Sequence, residues 1–500
     1  MNNKNYLLGL DIGSSSIKAA LVDSDTGEAV GAAQSPDKEM LINTPQPGWA
    51  EQDPESWWFH VKEAISKLTE EKSGLKDIKA IGISYQMHGL VLLDKGHKVL
   101  RPSIIWCDSR AAETGEEAFN TIGHEKCFKQ LLNSPGNFTA SKLAWVKNNE
   151  ADIFDKIKYA MLPGDYIAYR LSGELNTTVS GLSEGIFWDF KNHKVSDDLM
   201  NHYGLDTNVL PPEVPTFSIQ GELSAIASKE TGLPAGIPIS YRAGDQPNNA
   251  LSLNVFKPGE LAATAGTSGV IYGILDRLNH DSQSRVNLFA HVNHSKEEAR
   301  LGVLLCINGT GILYSWLKNQ LFGGQISYPE MNELAASVPA GSDGLRIFPF
   351  GNGVERIFQN KPFGGSLNNI DFNRHGRAHI VRAAQEGIIF ALNYGFEAMR
   401  DLGVLTQTVR AGMANMFQSE LFCEIFASVT NTTVELYNTD GAIGAARGAG
   451  IGAGIYNSTD EAFASLKSLK SIKPNPLITD IYSELYHQWK NELKSMLNNK

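Results

Sequence analysis

The sequence predicts an α/β protein of two large domains, residues 1–247 and 248–500, with a cleft between them. Three observations point to that class. The chain has 500 residues, too many for one hydrophobic core. Residues 7–23 read as two short apolar runs around a tight Gly-Ser-Ser-Ser turn, and residues 259–274 repeat the construction around Gly-Thr-Ser-Gly. Strand-like runs and helical patterns share the rest of the chain.

In the first hairpin Asp11 ends the first run, Gly13, Ser14 and Ser15 make the turn, and Lys18 follows. A Gly turn lets successive backbone N–H groups converge on an anion, and the Ser hydroxyls add donors. The acid would repel a phosphate unless a divalent cation stood between them, so Asp11 reads as a Mg²⁺-side group in a nucleotide site. Taken alone, the turn is equally an ordinary β-hairpin. It is not a P-loop, because Gly-x-x-x-x-Gly-Lys-Ser/Thr is absent and the next segment is strand-like.

Asp25-Thr-Gly27 predicts a turn into a third antiparallel strand. Asp53-Pro54 then opens a helix, with Asp53 as N-cap, Pro54 at the first helical position and Trp57, Val61, Ile65 and Leu68 on the buried face. Residues 79–85 read as a buried strand ending in Gln86-Met87-His88-Gly89, and residues 102–110 as an apolar run ending in Trp106, Asp108 and Arg110. Ligands gather at strand ends in open α/β sheets. A lone His is commonly structural, and the Trp-Asp-Arg cluster suits either a polyol over an aromatic wall or a loop ion pair.

Residues 111–208 are mainly helical in pattern, and Pro-rich stretches follow. Asp245 then stands at the end of the short run 239–244, preceded by Gly244, which makes it a candidate base; Gln246 is beside it. Gly266, Thr267 and Ser268 form the second turn, so a nucleotide could lie between two opposed phosphate-gripping hairpins. Helices are expected at 311–321 and 378–402. The Gly-rich run 441–454 reads as a helix packed at close range, with no strand leading into it within a βαβ unit, and residues 461–500 as C-terminal helices.

Composition excludes several classes. With 44 basic and 55 acidic residues the net charge is −11, which argues against nucleic acid or an anionic membrane as partner. No segment is apolar for long enough to span a bilayer. The N-terminus lacks a signal-peptide core, so a cytoplasmic location is expected. The four cysteines show no Cys-x-x-Cys spacing and read as reduced structural thiols.

These stretches, in this order, resemble the FGGY carbohydrate kinases, relatives of hexokinase, actin and the heat-shock chaperone ATPases. The resemblance covers nearly the whole chain. Residues 11–18 match the family's first phosphate motif, 264–269 its second and the segment around Gly412 its adenosine motif; 139–145 and 441–446 are similar to further family signatures. The segment 86–94 with 100–110 looks most like the xylulokinase branch. Departures are Cys107, Arg410-Ala411, Arg447 and the Gln246-Pro-Asn-Asn sequence after Asp245.

The resemblance implies two actin-like (ribonuclease H-like) ATPase domains. It implies ATP with Mg²⁺ held by Asp11 and Asp245, phosphates at Gly13, Ser14, Ser15, Lys18, Gly266, Thr267 and Ser268, and adenosine near Gly311, Gly412 and Asn415. A small-molecule sugar, D-xylulose first, is implied against Met87, His88, Gly89, Trp106, Asp108 and Gln246, with Asp245 as catalytic base supported by Asp11. At its ordinary pKa of about 3.9 an Asp is a weak base for an alcohol; a loose transition state, in which the proton leaves late, meets that objection. Ribulose, glycerol or another polyol is the alternative acceptor, a non-kinase ATPase of the actin and heat-shock type is the rival class, and a homodimer is left open.

Overall fold

The computed structural model describes residues 5–70 and 77–498. The N-terminal hairpin and its third strand form as expected: β1 (Tyr6–Ile12), β2 (Ile17–Asp23) and β3 (Ala29–Ser35) are an antiparallel meander. Helix α1 (Pro54–Glu70) starts with the Asp53 carboxylate accepting the Glu55 N–H at 3.0 Å, and it buries Trp57, Val61, Ile65 and Leu68. Strand β4 (Ile78–Tyr85) lies parallel to β1 on its other side. With β5 (Phe217–Glu222) and β6 (Pro238–Gly244) the sheet runs β5-β6-β4-β1-β2-β3.

Residues 111–208 are largely helical and stand beside that sheet; helices α2 (Thr139–Asn149) and α3 (Val179–Glu184) belong to them. Helix α4 (Asp245–Ser252) leads into the second domain. Its sheet contains β7 (Leu261–Ala265), β8 (Gly269–Leu275), β9 (Asn287–Ala290), β10 (Leu301–Ile307), β11 (Thr408–Gly412), β12 (Thr433–Tyr437) and β13 (Ser468–Ile472), in the order β9-β10-β8-β7-β11-β12-β13. Helices α5 (Gly311–Phe322) and α6 (Arg377–Asp401) match the expected spans within one residue.

The Gly-rich run is a helix packed at close range, as expected: α7 (Gly441–Gly452) follows β12 outside any βαβ unit, since β12 pairs antiparallel with β13, and it leaves its own sheet to pack on the first domain's sheet. Built-in methyl groups show why the sequence is so small there: on Gly9 one would lie 1.8 Å from the Ala442 carbonyl oxygen, and on Gly82 2.0 Å from that of Ala445. Backbone meets backbone only where both partners lack bulk. One expectation is corrected: the C-terminal stretch holds a strand, β13, before its long helix Pro476–Asn498. Being a mostly exposed edge strand with one neighbour, β13 carries no apolar alternation to betray it.

The Arg447 departure has a place in this packing. Buried inside α7, its guanidinium donates to the Gly27 carbonyl at 3.1 Å and lies 5.4 Å from the Phe463 ring, tying the helix to the β2–β3 turn. Edge strand β9 is held by the first domain. Its Ala290 N–H donates to Ser183 Oγ, its Ala290 carbonyl accepts from Ser180 Oγ, and Leu288 exchanges two hydrogen bonds with the Asn133 side chain.

Candidate active site

Asp11 sits at the hairpin end of β1, opposite Lys18 on β2 and beside Ser84 on β4. Ser84 Oγ donates to its Oδ1 at 2.8 Å, and the N-terminus of α7 is so close that a methyl on Gly441 would lie 2.6 Å from Oδ2. Burial raises the Asp11 pKa, while the Ser84 hydrogen bond and the Lys18 charge oppose that rise. The turn at Gly13, Ser14 and Ser15 is closed by the Gly13 N–H donating to the Ser16 carbonyl at 3.1 Å. Gln52 grips the Ser14 carbonyl at 2.7 Å, so the turn is braced from below while Ser15 and Lys18 stay exposed.

The loop after β4 supplies Met87, His88 and Gly89. Met87 is buried, and a methyl on Gly244 would come within 2.6 Å of its Cγ, so Met87 lies against the residue preceding Asp245. His88 has a φ of +62° and a side chain 17 % exposed. Its Nδ1 is 2.9 Å from the Glu184 carbonyl oxygen, and burial drives its pKa down to about 3. The ring is therefore neutral, with its proton on Nδ1 where only an acceptor waits, and Nε2 is left as an acceptor. Phe138 and Phe289 enclose the ring at 4.8 Å and 5.4 Å. Gly89 is needed for closeness, since a methyl there would lie 2.5 Å from Pro163.

Trp106 is 48 % exposed, and its Nε1 donates to Ser14 Oγ at 3.3 Å, linking this aromatic wall to the first phosphate turn. Asp108 is buried and fully engaged: it takes Arg110 in a two-pronged ion pair and the Ala50 N–H at 2.6 Å. Arg110 lies 3.8 Å from the Trp49 ring centroid. Of the two readings of this cluster, Trp106 faces the site and the Asp108–Arg110 pair locks its loop. Lys142 on α2 completes the lock. It is wholly buried, and its Nζ donates to the His88 carbonyl at 2.8 Å and to the Ile105 carbonyl at 2.9 Å, so one ammonium ties both loops together.

Asp245 is the first residue of α4, and Gln246 Nε2 donates to its Oδ2 at 3.2 Å. Burial first, and then the charge of Asp11, push its pKa up to about 7. The expectation of an ordinary carboxylate is thus corrected: this Asp is a far better proton acceptor near neutral pH. The second turn is close on its other side. Cys306, on β10, feels both the Ser268 hydroxyl and the Asp245 charge. Asp245 is thus within electrostatic reach of Asp11 at the first hairpin and of Cys306 beside the second. Two acids, Asp11 and Asp245, close enough for one charge to raise the other's pKa form a donor set that suits a hard divalent cation, which takes one or two carboxylates and completes its shell with phosphate and water.

The turn of Gly266, Thr267 and Ser268 carries the N-terminus of α5: Gly311 and Ile312 donate to the Gly266 and Thr267 carbonyls at 2.9 Å and 3.1 Å. A methyl on Gly311 would strike the Gly266 oxygen at 2.2 Å. Asn415, with a φ of +52°, brings its side chain to 3.5 Å from the methyl position of Gly266, and Gly412 ends β11 beside it. Gly311, Gly412 and Asn415, the residues expected on the adenosine side, are thus gathered at the second turn. Glu184 had no signal in the sequence, because it ends a short helix in an unremarkable stretch. Its carboxyl is buried beside His88 and Gly244.

A family model described as FGGY family of carbohydrate kinases, N-terminal domain, matches residues 6–252, and the corresponding C-terminal domain model matches residues 261–453. The chain belongs to the FGGY family of carbohydrate kinases. An FGGY kinase is a phosphotransferase, with ATP as donor and a small-molecule sugar as acceptor. This one is similar to the xylulose kinase of Bacillus subtilis, at 29 % identity with 96 % of each chain covered, and to that of Escherichia coli, at 28 % with 88 % of each covered. The crystal structure of xylulose kinase from Rhodospirillum rubrum superposes with a TM-score of 0.86, at 27 % identity with 99 % of each chain covered. That of Plasmodium falciparum glycerol kinase with ADP, at 20 % identity and a TM-score of 0.84, shares the two-domain actin-like fold over 99 % of this chain and 98 % of its own. Among the described residues no helix is long and apolar enough to cross a membrane.

Proposed function

We propose that this FGGY kinase phosphorylates D-xylulose to D-xylulose 5-phosphate, with Asp245 as the general base. The position of Asp245 supports the reading most directly. It is within electrostatic reach of Asp11 at the first phosphate turn and of Cys306 beside the second, next to Met87 and His88, with a pKa raised to about 7. The sugar lies on the side of residues 1–247, with Trp106 as wall, His88 Nε2 accepting from a hydroxyl, and Gly89, Asp108 and Gln246 holding the surrounding loops and the base. ATP takes the side of residues 248–500, its phosphates between Gly13–Ser15 and Gly266–Ser268 and its adenosine toward Gly311, Gly412 and Asn415.

The terminal hydroxyl oxygen of the sugar attacks the γ-phosphorus. The bond from that phosphorus to the β–γ bridging oxygen breaks, its electron pair leaves on ADP, and the hydroxyl proton passes to Asp245. We assign Mg²⁺ to Asp11 and Asp245; when bound it neutralises charge on the phosphates. Lys18 and the backbone N–H groups of the two turns supply the remaining stabilisation. A cytoplasmic site of action completes the reading.

A coupled ADP-release assay over D-xylulose, L-ribulose, D-ribulose, glycerol and gluconate tests this. Fastest release with D-xylulose is expected. Preference for another polyol replaces the acceptor, and sugar-independent release replaces the kinase reading by a bare ATPase.

A further inference from the structure

Glu184 buries its carboxyl beside His88 and Gly244. Its side chain is 2 % exposed, and the one hydrogen-bonding group set against its carboxyl is the equally buried Tyr85 hydroxyl, which leaves most of the acceptor capacity of the two oxygens unfilled among the described residues. A buried polar group short of partners costs about 1–3 kcal/mol, so the native structures that keep one have a use for it. The carboxyl cannot swing out to solvent. It ends α3, whose Ser180 and Ser183 are bonded to β9 of the second domain.

Its surroundings are those that the kinase reading gives to the sugar. Oε2 is 3.8 Å from His88 Nδ1 and 3.0 Å from where a methyl on Gly244 would sit, one residue before the base. The Glu184 carbonyl accepts the His88 ring proton and so sets the tautomer that leaves Nε2 free to accept. One residue thus orients His88 with its backbone and holds a carboxyl of largely unfilled acceptor capacity beside it.

We propose that Glu184 is a specificity-determining residue of the sugar pocket, its carboxyl hydrogen-bonding one hydroxyl of an uncharged polyol chain while His88 Nε2 meets another. This rests on the kinase reading of the same site. Burial, with Asp245 and Asp165 nearby, raises the pKa of Glu184. A sugar acid is selected against, because its carboxylate would enter a buried corner where the Asp245 charge already opposes the ionisation of Glu184.

The test compares Glu184→Met, which keeps the volume and removes the hydrogen-bonding atoms, with Glu184→Gln, which keeps both. In Glu184→Met the KM for D-xylulose should rise at least tenfold, about the worth of one hydrogen bond to a neutral group, while the KM for ATP stays within twofold. Preference for D-xylulose over gluconate should fall by a similar factor, and Glu184→Gln should keep most of both. Because replacing a buried acid short of partners by an apolar side chain relieves its desolvation, the melting temperature of Glu184→Met should hold or rise. A lower melting temperature with an unchanged sugar KM would make Glu184 structural and overturn the proposal, as would an unchanged sugar KM in a stable variant. If the parent enzyme itself phosphorylates no neutral sugar, the kinase reading falls and takes this proposal with it. If Glu184→Met fails to fold, that too overturns it, since a structural role is what that outcome reveals.

Discussion

Lowering the pH from 8 to 6 should disarm the base. Asp245 titrates near 7, where an ordinary Asp titrates near 3.8, so the proton-accepting form is present above that point and lost below it. A group with that pKa is about 90 % ionised at pH 8 and about 10 % at pH 6, whereas an unperturbed Asp is fully ionised at both. The kcat/KM for Mg-ATP, measured at saturating sugar so that the limb reports the complex before the metal arrives, should therefore fall about tenfold between pH 8 and pH 6. Asp11→Asn removes the second-largest cause of the shift, so whatever activity that variant retains should lose its dependence at a lower pH than the parent does. Asp245→Asn should bind ATP and sugar with little change and lose most turnover. A profile flat from pH 8 to 6 in the parent, or near-normal turnover in Asp245→Asn, would refute the assignment of Asp245 as a base with a raised pKa.

His88→Ala should raise the sugar KM at least tenfold, and because the ring titrates near 3, steady-state assays should show no loss of sugar affinity in the parent as the pH falls to 5. Lys142→Met cuts both ties between the sugar loops; urea denaturation should show a stability loss of about 1–3 kcal/mol, accompanied by a higher sugar KM. For Gly82→Ala, whose methyl would lie 2.0 Å from the Ala445 carbonyl oxygen, thermal melting should show a loss of about 1–3 kcal/mol or more, and an unchanged melting curve would mean that α7 is not seated as described.

The parts of the site that are backbone machinery could be read from the chain, because turns and close approaches demand particular residues. Gly13 and Gly266 announce their turns, and Asp53-Pro54 announces its helix in the same way. Gly9 and Gly82 do not, since each sits inside an apolar run and its need for smallness arises from a helix encoded far away. Side-chain roles set by tertiary burial were equally hidden. Asp245 reads as an acid at a strand end, but its raised pKa comes from Asp11, brought up by another strand, and from a roof of packed protein. Glu184 and Lys142 are charged residues in helical stretches, where the usual expectation is a solvated face; only the fold buries them. Asp108 and Trp106 are two positions apart and look alike as candidates, yet the fold sends one into an ion pair and leaves the other half exposed.

Helix α7 also governs the order in which the molecule can be finished. The first domain's sheet is complete at Gly244, but the trough on its face is filled by residues that begin at Gly441. A ribosome making this chain therefore releases the first domain with an uncovered, glycine-floored groove, and that groove stays open until nearly the last part of the message has been read. The early half therefore carries an uncovered sheet face until α7 arrives, and severing the chain between the domains should leave that face bare.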